Sequence, residues 1–146
     1  MDEKLKEQLK LLEKYRLRLE EIAAHSREDY LRDGLLQGAA ERYLQMSIES
    51  CINIGNRIIS LAQFDKKIPA PESYADVFRK LGNLIEDMSS QFINNLVSMA
   101  RFRNRLVHLY WEVEPEEAYD FLKLHIGDFI KFRDYIVSYL KDKFIA

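Results

Sequence analysis

The sequence predicts an all-α fold, an up-and-down helical bundle. Apolar residues recur at three- and four-residue spacing through nearly the whole chain, the signature of amphipathic helices. Glycine and proline number only 5 and 3 in 146 residues, too few for a turn-dense all-β fold. The apolar share of 47% and charged share of 32% suit a helix-rich protein with a real core. A length of 146 residues fits one domain spanning 1–146.

The first helix is expected over residues 2–24, with Leu5, Leu9, Leu12, Leu19 and Ile22 forming one narrow apolar stripe. His25 falls at its end, where a cation complements the helix dipole. Ser26 offers an N-cap to the next segment, and Asp33-Gly34 marks a break or kink before a main second helix over 35–63. That helix carries apolar residues on well over one stripe, from Leu36 to Ala62, and so reads as the central helix, with part of the excess available to a subunit interface. Glu41, Arg42, Glu49 and Arg57 interrupt it and are expected at its rim, while Gly55 points to close helix packing.

Lys66 to Pro71 is the clearest linker, since Pro69 and Pro71 bar helix continuation. Ser73-Tyr-Ala-Asp76 resembles a capping box for a short helix that buries Tyr74, Val77, Phe78 and Leu81 and closes at Gly82-Asn83. The next helix is expected over 86–107, with Met88, Phe92, Leu96, Met99, Phe102 and Leu106 on its core stripe. Pro115 suits the first position of a last helix over 115–142, and Glu116 and Glu117 suit its first turn.

The composition narrows function. A net charge of −2 does not fit a protein that coats nucleic acid by bulk electrostatics. Cys51 is the only cysteine, which excludes an intrachain disulfide and a cysteine-based zinc site, and its apolar neighbours predict a buried thiol. The amino terminus is too charged for a signal peptide, and no apolar run reaches membrane-spanning length, so a cytoplasmic protein is expected.

Chemistry concentrates at residues 101–111, where Arg101, Arg103, Asn104, Arg105, His108, Tyr110 and Trp111 crowd together as the helical pattern runs out. Arginines and a histidine in a last helical turn can simply complement the dipole and cap carbonyls. A functional reading meets a geometric obstacle. At about 100° per residue, Arg103 and His108 point roughly 140° apart on a straight helix. Unwinding of the helix or a second subunit is needed to bring them into one site. Asn104 and His108, one turn apart, do share a face.

The segment Phe102-Arg-Asn-Arg-Leu-Val-His-Leu-Tyr110 resembles the R-x4-H-x-Y motif of the HEPN superfamily, and more specifically the HepT-like ribonuclease toxins of HepT–MntA toxin–antitoxin systems. Residues 48–59 look like that family's central helix, and Pro71 to Phe78 like its post-linker helix. The resemblance implies an all-helical homodimer in which two motifs meet at a composite cleft. It implies a metal-independent RNA endonuclease with no cofactor, catalysed by Arg103 and His108. RNA supplies its own nucleophile, the 2′-OH. Histidine serves proton transfer in the neutral range, and arginine binds phosphate bidentately and offsets developing charge. Arg101, Asn104, Arg105 and Trp111 are the supporting or RNA-binding candidates, with Tyr110 or Trp111 able to stack on a base. The family pattern makes Tyr110 the residue that an MntA-like nucleotidyltransferase antitoxin modifies with AMP. Trp111 stands where that pattern has an acidic residue. The alternative is a non-catalytic helical docking module for a nucleotidyltransferase.

Overall fold

A computed structural model describes the backbone of residues 1–145 and the side chains of residues 1–143; Ala146, the last residue of the expected domain, lies outside the described residues. Six α-helices account for the architecture among the described residues: α1 (Glu3–Ala23), α2 (Arg27–Arg32), α3 (Gly34–Ala62), α4 (Tyr74–Leu84), α5 (Ser90–His108) and α6 (Pro115–Ile145). A single 3-10 turn, Tyr110–Glu112, separates the last two.

Short polar side chains start these helices by accepting otherwise unpaired amide hydrogens. Asp2 caps α1 at Leu5, Ser26 caps α2 at Asp29, Asp33 caps α3 at Leu35 and Leu36, and Ser89 caps α5 at Phe92. Ser73 caps α4 by accepting from Asp76 N at 3.1 Å. The reciprocal bond of the expected capping box is displaced by one residue: Asp76 accepts from the amide of Glu72 rather than of Ser73.

Helix α3 is central, as its wide apolar surface requires, and packs against all five other helices. Most of its apolar residues are buried within the chain, while Leu35 in its first turn is 89% exposed. Helix α1 runs antiparallel to α6, since Tyr119 and Lys123 near the start of α6 reach the carbonyls of His25 and Ala23 at the end of α1. Helix α5 is likewise antiparallel to α6, with Asn95 facing Asp128 and the Phe102 ring stacked on Phe121 at 4.0 Å. Cys51 is fully buried in this core, and burial pushes its thiol pKa well up.

Three expectations are corrected around α4. The helix does not close at Gly82-Asn83 but continues to Leu84. Gly82 is there for space, because a β-carbon would lie 2.4 Å from Ile93 of α5. Helix α5 starts at Ser90 rather than near 86; buried Ile85 and Met88 carry the apolar spacing across a turn that is not helical. Tyr74, expected in the core, is 41% exposed at the first position of α4. Gly55 does mark close packing: a β-carbon would meet Val77 of α4 at 2.8 Å.

Candidate active site

The site is organised by the C-terminal half of α5. Phe102 and Leu106 are buried at the expected four-residue spacing and lock the helix rotation. That rotation turns Arg103 towards α3 and α4 and leaves Asn104 and His108 on the exposed face. The helix persists through His108 and breaks at Leu109, whose φ of −137° and ψ of 37° are not helical. Unwinding therefore falls between His108 and Tyr110, not before His108. Tyr110, Trp111 and Glu112 coil into the 3-10 turn, which buried Val113 pins to the core.

Arg105 and Glu117 brace this corner from the other side. The two termini of the guanidinium donate to the two carboxylate oxygens, one bond measuring 2.9 Å. The arginine beside it holds the Glu117 carboxyl below the usual carboxylate range.

Arg103 and His108 nevertheless line one groove of about 610 Å³, together with Asn104. Asn56 of α3 joins them, and Pro71, Glu72, Ser73, Tyr74 and Val77 form the facing wall. The separation of roughly 140° expected on a helix concerns where side chains leave the backbone, not where a long arginine ends. The Arg103 Nε donates to Glu49 Oε1 at 3.3 Å, and Nη1 donates to Asn104 Oδ1 at 3.2 Å. The guanidinium carbon also lies 4.9 Å from the centroid of the Tyr74 ring. Glu49 is itself oriented by Gln45, whose Nε2 donates to the same Oε1 at 2.7 Å. These contacts leave the Arg103 side chain only 14% exposed.

The remaining candidates divide clearly. Tyr110 and Trp111 are 64% and 66% exposed and form an edge-to-face pair at 5.4 Å. Arg101 is exposed on the surface of α5. Arg105 is drawn into its ion pair with Glu117, which gives it a structural task whatever else it binds. His25 and His125 do not line the groove; His125 is buried against Asp128 at 2.8 Å. Among the described residues, no three His, Cys, Asp or Glu side chains gather as a metal site. Sequence reading missed Glu49, Asn56, Glu72 and Tyr74 as site residues. The available signal was Glu49, a carboxylate interrupting an otherwise apolar helix.

Chemically, the groove holds a guanidinium with unused donors, an amide and an imidazole within one open, polar surface. That set suits a phosphate ester that undergoes proton transfer. The family profile described as ribonuclease HepT-like matches residues 5–136. The chain belongs to the ribonuclease HepT-like family.

Among HepT-like proteins, the chain is 32% identical over 109 residues to the mRNA nuclease HepT of Shewanella oneidensis, covering 73% of this chain and 77% of that protein. It is 26% identical over 134 residues to the tRNA nuclease HepT of Aphanizomenon flos-aquae, covering 90% and 86% respectively. The structure of the tri-AMPylated Shewanella oneidensis HEPN toxin in complex with an MNT antitoxin superimposes with a TM-score of 0.81 at 26% identity, over 94% of this chain and 99% of that one. The HepT-like, HEPN-type helical fold expected from sequence is thus the fold observed. No helix among the described residues is long and apolar enough to cross a membrane.

Proposed function

We propose that this chain is the toxin of a toxin–antitoxin pair, a metal-independent RNA endonuclease. The observation that carries the reading is the convergence of Arg103, Asn104 and His108 on one groove in a chain whose relatives are named as nucleases. His108 takes the proton of an RNA 2′-OH. The 2′-oxygen forms a bond to the adjacent phosphorus, and the bond from phosphorus to the 5′-oxygen breaks. Arg103 offsets the negative charge that grows on the non-bridging oxygens. The products are a 2′,3′-cyclic phosphate and a 5′-hydroxyl, the latter protonated by a second acid.

A homodimer supplies that second group, the other copy's motif standing across a shared cleft. Exposure of Leu109, Tyr110 and Trp111 beside the groove supports coverage of this corner by another chain. An MntA-like nucleotidyltransferase transfers AMP from ATP to the hydroxyl of Tyr110, a residue 64% exposed; the tyrosine oxygen bonds to the α-phosphorus as the bond to the β-phosphate breaks and pyrophosphate leaves. The added phosphate brings negative charge beside the motif and competes with RNA for Arg103.

The test is cleavage of end-labelled tRNA and single-stranded RNA by purified protein in excess EDTA. Cyclic phosphate ends are expected, together with loss of cleavage in His108→Ala. Undiminished cleavage by that variant rejects His108, and a requirement for added divalent metal rejects the metal-free mechanism. No cleavage together with nucleotide-dependent binding of the nucleotidyltransferase identifies a docking module instead.

A further inference from the structure

We propose that Glu49 and Tyr74 are positioning residues that hold Arg103 in the groove with its phosphate-binding edge free. The inference rests on the nuclease reading above and deepens it.

A guanidinium has five N–H groups in a fixed planar fork. Arg103 uses one, on Nε, for Glu49 and one, on Nη1, for Asn104. Three remain, all on the two terminal nitrogens, enough for bidentate contact with a phosphate. Glu49 thus does not compete with the substrate for that edge. It holds the opposite end of the group.

Tyr74 completes the clamp by presenting its ring to the guanidinium at 4.9 Å, from a helix start that also walls the groove. Gln45 keeps Glu49 in place through the 2.7 Å bond. Three elements, α3, α4 and α5, therefore converge on one cation. This convergence overcomes the unfavourable direction in which Arg103 leaves α5. Without it, the flexible side chain samples positions from which it cannot meet a phosphate beside His108, and small misplacements of a catalytic group carry large rate penalties.

Glu49 also places a negative charge near the phosphate site, so its removal acts on kcat and KM by two different routes. Orientation is lost, which lowers kcat, while like-charge repulsion of the substrate is relieved, which holds KM steady or lowers it. A purely structural residue does not produce that split.

The experiment measures steady-state cleavage of one labelled RNA by wild type, Glu49→Ala, Glu49→Gln, Tyr74→Leu, Tyr74→Phe and His108→Ala, with thermal unfolding of each. Glu49→Ala and Tyr74→Leu are expected to lose roughly 10- to 100-fold in kcat, with KM unchanged or lower for Glu49→Ala. Glu49→Gln keeps the accepting oxygen and Tyr74→Phe keeps the ring, so both are expected to retain most of kcat. The proposal is overturned if Glu49→Ala and Tyr74→Leu keep wild-type kcat while His108→Ala is inactive. It is equally overturned if the conservative variants fall as far as the drastic ones. If Glu49→Ala does not fold, the two Tyr74 variants decide. Wild-type cleavage by His108→Ala rejects the nuclease reading of this site instead.

Discussion

Arg105 near the end of α5 grips Glu117 in the first turn of α6 with a two-bond fork, tying together the two helices that flank the 3-10 turn. The pair is over a third exposed, so water and salt screen it, and a double-mutant cycle with Arg105→Ala and Glu117→Ala is expected to give a coupling of about 0.5–1 kcal/mol. Glu117 has its folded pKa depressed, so its contribution is present above the ordinary carboxylate pKa of 4.5 and fades as pH falls through the lower folded value. Unfolding followed from pH 7 to below 4 checks the sign. A contribution that grows on acidification contradicts the assignment.

Arg103→Lys keeps the charge and discards the fork. One ammonium cannot serve Glu49, Asn104 and both oxygens of a phosphate in a plane. Single-turnover cleavage is expected to slow by about 10²–10³-fold, in the range of a lost oxyanion donor, with unfolding little changed. Full activity in the lysine variant shows that bulk positive charge suffices.

Tyr110→Phe separates catalysis from neutralisation. The residue is 64% exposed, so loss of its hydroxyl is expected to leave RNA cleavage within a few-fold of wild type. Incubation with the nucleotidyltransferase and ATP, read by intact-mass spectrometry, is expected to add AMP to wild type and none at this position in the variant. Equal modification of both proteins places the acceptor elsewhere.

Two helical glycines are expected to respond to alanine in opposite directions. At Gly38 nothing stands within 4 Å of a new β-carbon, so Gly38→Ala gains helix propensity and raises stability by about 0.5–1 kcal/mol. At Gly55 the new carbon meets Val77, a buried side chain stiff at its first torsion, at 2.8 Å. Overpacking of about 1–3 kcal/mol then outweighs the propensity gain and lowers stability. The same displacement of α4 carries Tyr74 with it, so cleavage is expected to fall as well. Chemical denaturation of both variants checks the pair.

The bundle was legible because local signals agreed with one another. Ser26 and Ser73 cap helices, Pro115 opens α6, and the apolar spacing of Phe102 and Leu106 set the rotation of α5. Boundaries failed where the same signals serve two ends. Gly82-Asn83 reads as a helix stop, yet that glycine answers Ile93 on another helix. Ile85 and Met88 extend the apolar spacing through a turn, because a buried turn needs apolar residues as much as a helix does.

The motif itself, Arg103 with Asn104, His108 and Tyr110, was determined by sequence, since residue order along one segment is all that its recognition requires. Whether Arg103 and His108 occupy one groove was decided only by tertiary structure. Helical periodicity states the direction of a β-carbon, whereas a guanidinium lies several bonds further out and goes where its partners hold it. Those partners, Glu49 and Tyr74, lie 54 and 29 positions away in the chain. One was expected at a rim and the other in the core. Their meeting with Arg103 depends on how α3 and α4 pack against α5, and no local pattern encodes it.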